Sequence, residues 1–440
     1  MVRSLLPLGA ALLGASAVLA QDPPTCSLDK KCPKEAPCCS QYGQCGVGAF
    51  CLGGCDPRMS YSIDSCLPAP VCKDKVYKMD SLDRYKDISQ YMGDPDTADW
   101  VGQGEPLLYN GNVLLTMPPK SVGTVLASTR YMWYGNVKAR VKSSRGAGVV
   151  TAFILYSDVK DEIDYEWVGA DLNTVQTNYY FQGITDYGNS GNISVPDTYN
   201  EFHEYEIQWT PDEIRWLVDG KLGRVKKKSE TWNATANQWN FPQTPSRVQL
   251  SIWPGGLETN LEGTINWAGG KVDWNHEEIR NYGYYFATFA EVSVECWKTD
   301  TPPGTNKGRT YWYTDALATN NTVVDGDKPS VIKSFLATGL DPNKGASKNV
   351  TLDPAQTSAV HAIPGGSVLA PGNIPGIDSP SSSSSTRSGP APPCATSGFS
   401  QACGEAEDAT NTNNGARSVD RTMGASAFAV VVGFAALLLL

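Results

Sequence analysis

Between residues 73 and 315 apolar residues return at every second position in short runs. Such runs include "NVKARVKSS", "HEYEIQWT", "RVQLSIWP" and "FATFAEVSVEC", rich in Val, Thr, Tyr and Trp and divided by turn residues. Alternation of this kind predicts strands with one buried face, because successive side chains point to opposite sides of a sheet. "GVVTAFILYSD" begins with a continuous apolar run and predicts a strand buried on both faces. No long segment carries the 3.6-residue period of an amphipathic helix. The expected fold is therefore all-β, a jelly-roll sandwich with two sheets packed face to face.

The pattern fails on both sides of this region. Residues 1–20, "MVRSLLPLGAALLGASAVLA", join a basic start to a short apolar run and a small-residue ending. That is the form of a secretory signal peptide. Residues 21–72 have little alternation and hold nine of the twelve cysteines, which predicts a small disulfide-stapled module. Residues 316–414 include "SPSSSSSTRSGPAPP" and read as a Ser/Pro-rich, glycosylated stalk, in which Cys394 and Cys403 could pair with each other. Small residues around Asn414, a polar spacer and an apolar tail end the chain. This order predicts a GPI signal with attachment at Asn414 and removal of residues 415–440. The expected location is extracellular, in the cell wall and at the outer face of the plasma membrane, with the lipid as the sole membrane contact.

Composition agrees with export. Twelve cysteines suit an oxidising compartment, and sequons stand at Asn192, Asn233, Asn320 and Asn349. A net charge of −10 argues against a nucleic-acid partner. Three scattered histidines offer no zinc-type cluster and no Ser-His-Asp arrangement, so neither a metal nor another cofactor is expected.

One stretch departs from ordinary strand composition. "DEIDYEWVG" places Ile163, Tyr165 and Trp167 on one face and Glu162, Asp164 and Glu166 on the other. A solvated outer strand face would explain the alternation. It would not explain three acidic residues in a row, which are poor strand formers and repel one another. Two carboxyl groups on one face suit glycosidic bond cleavage, in which one acts as nucleophile and the other as acid/base. Glu162 and Glu166 lie roughly 13 Å apart at Cα on a straight strand, a gap that long side chains and strand twist can narrow. Charges on Glu162 and Asp164 are expected to raise the pKa of the third carboxyl. The chemistry alone leaves open which Glu is the nucleophile.

"DEIDYE" resembles the D-E-[ILM]-D-x-E motif of glycoside hydrolase family 16, a family of β-jelly rolls. "VQTNYYFQG", "FHEYEIQWTPDEIRWLVDG" and "SIWPGG" are similar to further blocks of that family, in the same order. The resemblance implies Glu162 as nucleophile, Asp164 as assisting carboxylate and Glu166 as acid/base. It also implies Gln176 and Asn178 along the sugar cleft, Trp253 as an aromatic platform and Thr264 in the following loop. Tyr179, Tyr180, Phe181 and Tyr187 are a pool from which an acceptor platform could be drawn, with some of them in the core.

"CPKEAPCCSQYGQCGVGAFCLGGC" resembles a hevein-like chitin-binding module. That likeness implies Ser40, Tyr42 and Phe50 as sugar-binding residues, with Gln44 where plant members carry a second aromatic. It implies pairing of Cys26 with Cys39, Cys32 with Cys45 and Cys38 with Cys51. Cys55 is left to join Cys66 or Cys72, and Cys296 is the candidate for the odd cysteine. Signal, module, glycosidase, stalk and anchor together resemble the fungal Crh family of cell-wall transglycosylases. The implied function is cleavage of chitin through a covalent glycosyl-enzyme and transfer to β-glucan by a monomer. A retaining chitinase or β-glucanase and a non-enzymatic wall lectin are the alternatives.

Overall fold

The computed structural model describes residues 23–346. The expected signal, most of the expected stalk, Asn349, Cys394, Cys403, Asn414 and the apolar tail lie outside the described residues.

Two eight-stranded sheets, antiparallel apart from one edge pair, face each other. The sheet that carries the acidic motif is built from β1 (Tyr85–Asp87), β2 (Trp100–Gln103), β3 (Thr124–Met132), β4 (Val149–Ser157), β5 (Glu162–Val168), β6 (Thr174–Tyr180), β7 (Gly191–Ser194) and β8 (Ser246–Pro254). Its spatial order is β7-β6-β5-β4-β8-β3-β2-β1. The opposing sheet is centred on Gly135–Lys142, His203–Trp209 and Tyr285–Cys296.

Alternation puts Ile163, Tyr165 and Trp167 of β5 into the space between the sheets. There they meet Val137, Ala139, Tyr205, Ile207 and Phe289 from the other side. Trp167 lies edge-on to Tyr205, ring centres 4.6 Å apart, a favourable aromatic geometry. The same alternation forces Glu162, Asp164 and Glu166 onto the outer face of their sheet.

The turn from β4 to β5 is held from inside. Lys160 takes a left-handed φ of 66°, and the fully buried Asp161 turns inward. One Asp161 oxygen accepts from Gln182 N at 2.9 Å, the other from Gln243 N, Thr244 N and the Thr244 hydroxyl at 2.9, 3.0 and 2.6 Å. The first acidic residue of the motif thus ties three chain segments together beneath the site.

Disulfides pair Cys26 with Cys39, Cys32 with Cys45, Cys38 with Cys51, Cys55 with Cys66 and Cys72 with Cys296. The first four close the small module, and the last fastens its exit to the opposing sheet. The module is not an independent bead. Phe50 and Leu52 pack on Tyr91, Val101 and Ala127 of the sandwich in one apolar cluster, together with Ile332 and Ala337. Folded structure therefore runs past 315, where the stalk was expected to begin. Strands Thr310–Tyr313 and Val323–Gly326 form a small sheet with Ala69–Pro70, and Gly48 N donates to Ala337 O at 2.8 Å.

Candidate active site

Strand register assembles the site. Glu162 stands opposite Tyr180 of β6 and Tyr156 of β4. Asp164 stands opposite Asn178 and Ile154, and Glu166 opposite Gln176 and Ala152. Paired residues share a face, so the three carboxylates and the side chains of Gln176, Asn178 and Tyr180 form one surface. A cleft of about 450 Å³ opens over it, bordered by Asp164, Glu166, Gln176, Asn178, Trp253 and Thr264 among others.

Burial is severe for a triple carboxylate: Glu162 is 3 % and Asp164 1 % exposed. Burial raises the Asp164 pKa well above the ordinary range, and the charges of Glu162 and Glu166 and a hydrogen bond to Glu162 push it the same way. The hydrogen bond between Asp164 and Glu162 is thus one that favours the protonated form of Asp164. From below, Trp216 Nε1 donates to the Asp164 backbone carbonyl at 3.0 Å, which fixes the strand at this residue. Glu166 is raised to about 7 by burial. The electrostatic outcome differs from the sequence expectation in one respect. Asp164 is itself pushed up, and desolvation is what raises Glu166.

The aromatic wall has a member that sequence reading missed. Trp267 ends the short helix α1 (Glu262–Trp267) and lies nearly parallel to Trp253, with ring centres 6.0 Å apart at 24°. Its Nε1 donates to Gln176 Oε1 at 2.7 Å, which orients that amide in the cleft. Trp253 itself is almost wholly buried, so the half-buried Trp267 presents more ring to a ligand. Asn178 donates from Nδ2 to the Tyr180 hydroxyl at 2.8 Å. Tyr180 and Tyr187 border the cleft, and Tyr187 is 66 % exposed at its rim. Tyr179 belongs to the core, and Phe181 is buried and absent from the cleft lining.

The residues expected to bind sugar in the module are placed otherwise. Phe50 is 5 % exposed and sits in the cluster that joins the module to the sandwich. Ser40 is buried, its hydroxyl accepting from Tyr42 N and Gln44 N at 3.4 and 3.3 Å. Tyr42 is half-buried and borders a narrow crevice against Arg247 and Gln249 of β8. Phe50 and Ser40 are thus buried, and Tyr42 is half-buried, on the side where the module meets the sandwich.

Of the sequons within the described residues, Asn192 is exposed on edge strand β7, opposite Gln176. Asn233 is half-buried in a short hairpin, and Asn320 turns its amide toward the Tyr134 hydroxyl at 3.4 Å.

Known proteins match this chain over the same region. The model of the glycosyl hydrolases family 16 covers residues 95–269. Crh-like protein 3 of Botryotinia fuckeliana is 61 % identical over 322 residues, 73 % of this chain and 72 % of that one. The chain belongs to the Crh-like proteins of glycoside hydrolase family 16. Congo red hypersensitive protein 2 of Saccharomyces cerevisiae is 46 % identical over 334 residues, 74 % of this chain and 71 % of its own. Among solved structures, the Crh5 transglycosylase in complex with NAG aligns with a TM-score of 0.49 at 26 % identity, over 59 % of this chain and 95 % of that one. As a Crh-like family 16 member the chain is a glycosidase-type enzyme, one that acts on glycosidic bonds.

Proposed function

We propose that the enzyme cuts chitin and transfers the cut end to β-glucan, with Glu162 as nucleophile, Asp164 as its positioning partner and Glu166 as acid/base. The observation that supports this most directly is the row of three carboxyls on the outer face of β5, at the floor of the cleft. Burial pushes Asp164 well up, with its hydrogen bond to Glu162 acting the same way, and raises Glu166 to about 7. A general acid must be protonated when substrate arrives, and a nucleophile must not be.

In the first step the Glu162 carboxylate bonds to the anomeric carbon, the glycosidic C–O bond breaks, and the Glu166 proton goes to the departing oxygen. In the second step an acceptor hydroxyl bonds to the same carbon, its proton passes to Glu166, and the Glu162 ester bond breaks. Asp164 holds the Glu162 carboxylate in line, and its hydrogen bond to Glu162 strengthens in the second step as negative charge returns to the departing carboxylate. Gln176, Asn178, Trp253, Thr264 and Trp267 hold the sugar against the triad. Tyr187 at the rim offers a flat face to the incoming acceptor, and holding that acceptor is what lets a sugar hydroxyl compete with abundant water. No step draws on a metal or an organic cofactor.

The GPI anchor at Asn414, the glycosylated stalk, glycans on the sequons and a monomeric state complete this reading. The test is a chitin oligosaccharide donor incubated with and without a labelled β-glucan acceptor, with products followed by mass. Chimeric products in excess of new reducing ends are expected. Shortened chitin oligosaccharides alone, at saturating acceptor, would establish a hydrolase in its place.

A further inference from the structure

The outer face of the catalytic sheet is wide enough for sugars on both sides of the carboxylates, yet half of it is covered. Across β3, β2 and the Arg247–Gln249 end of β8 the module replaces solvent. Phe50 and Leu52 lie on Val101 and Ala127, and Gln41 Oε1 sits 3.4 Å from Arg247 Nη2 and 3.5 Å from Gln249 Nε2. Gly54 N donates to Asp158 Oδ1 at 2.8 Å just beyond the end of β4. Arg58, paired with Asp56, reaches Gln182 Oε1 at 3.2 Å just beyond the end of β6.

The module also comes close to the nucleophile. Tyr180, Glu162, Tyr156 and Arg247 form one continuous row across β6, β5, β4 and β8. Tyr156 belongs to the outer face, yet it is 5 % exposed, and Ile154 beside it is 2 % exposed. Tyr42, Asp56 and Arg58 of the module all act electrostatically on the Tyr156 phenol, as Glu162 does. With strands spaced about 4.8 Å apart, Arg247 at the foot of the module lies about 10 Å along the row from Glu162. The space left between module and sheet is about 30 Å³, enough for a water and far too small for a pyranose. Away from the module the 450 Å³ cleft stands open, over β6 and β5 and, on the β4 side, over the Trp253 end of β8.

We infer that the docked module is the end wall of the catalytic groove, and that Gln41 and Tyr42 set how many sugar units a bound chain can place on the β4 side of Glu162. This rests on the catalytic reading above. The module then acts as a specificity element of the reaction. A polymer that meets this wall must end there or lift off the sheet, so the wall selects which glycosidic bond lies over Glu162 and Glu166.

The experiment uses the full chain and a graded series of chitin oligosaccharides, with bond-cleavage frequencies read by mass after a single turnover. Deletion of the module is unsuitable, because it would strip Val101, Ala127 and Ile332 of their cover. Tyr42→Ala and Gln41→Ala are expected to move the preferred cut by at least one sugar unit on the longer oligosaccharides and to leave the pattern on the shortest unchanged. Tyr42→Phe keeps the ring and should keep the original pattern, a rescue that general loosening of the fold would not produce. Cleavage by the unaltered chain tests the catalytic reading, whereas the change in pattern between it and the alanine variants tests the wall. Identical cleavage patterns for the unaltered chain, Tyr42→Ala and Gln41→Ala would overturn the inference.

Discussion

Glu166→Gln separates the cost of holding a proton from its use. Burial lifts the Glu166 carboxyl from its ordinary 4.5 to about 7. A shift of that size corresponds to about 3 kcal/mol, trimmed somewhat because the side chain still reaches the cleft. The sign follows from proton binding. Between the unfolded and folded pKa values the folded state holds more protons, so stability is greatest below about pH 4.5 and declines as pH rises through about 7. Gln keeps the shape and removes the titration. The variant should therefore be no more stable than the parent near pH 4.5 and more stable by up to about 3 kcal/mol near pH 8. Urea unfolding at both pH values measures this directly. Activity should move the opposite way. Turnover of natural glycosides should be lost for want of a proton donor, while nitrophenyl glycosides, whose leaving group needs none, should still form the glycosyl-enzyme. Equal stability gains at both pH values would refute the buried-acid account, and equal loss on both substrate classes would refute the role of Glu166 as acid.

Two further perturbations test the surroundings. Asp164→Asn retains a donor toward Glu162, so it should fold normally and keep partial activity, whereas Asp164→Ala should lose far more; comparing kcat of the two variants on one activated substrate checks that the residue acts as a neutral donor and not as a charge. Asp161→Ala leaves three backbone donors and the Thr244 hydroxyl unmatched in the interior, and at about 1 kcal/mol or more for each unmet donor it should destabilise the fold by several kcal/mol in thermal unfolding, while a near-parental midpoint would show that water replaces it.

The sequence was legible where physics is local. Period-two alternation in "EIDYEWV" placed Ile163, Tyr165 and Trp167 inward and the carboxylates outward, and strand geometry alone requires that division. Trp267 could not be found in this way. It lies near the triad because a six-residue helix brings it over Gln176, 91 positions earlier in the chain, and no periodicity encodes that contact. Residues 316–346 also misled. Their composition is polar, yet Ile332 and Ala337 are enough to seal the module edge, since a segment can join a core through two apolar residues and a few backbone hydrogen bonds. The upward shift of Asp164 was unreadable for a different reason. Repulsion among three carboxylates is visible in sequence, but how far each is pushed depends on its burial, and Asp164 is 1 % exposed.

The module illustrates how a recognisable cysteine pattern can keep its covalent frame while some of its side chains pack against a neighbour. Four disulfides fix the module's local fold regardless of what it touches. An exposed aromatic that can stack on a sugar can equally bury itself against Val101 and Ala127, and burying a Phe is worth roughly 1.5–3 kcal/mol in either setting. Docking commits Phe50 and Ser40 to the interior and leaves Tyr42 at the edge, where the module meets the catalytic sheet. The cysteine pattern therefore predicts the knot, and the neighbouring sandwich decides its use. Once the module is attached by an apolar cluster and by the Cys72–Cys296 bridge at its exit, its edge becomes a fixed boundary of the groove, rigid enough to determine which bond of a long polymer reaches Glu162.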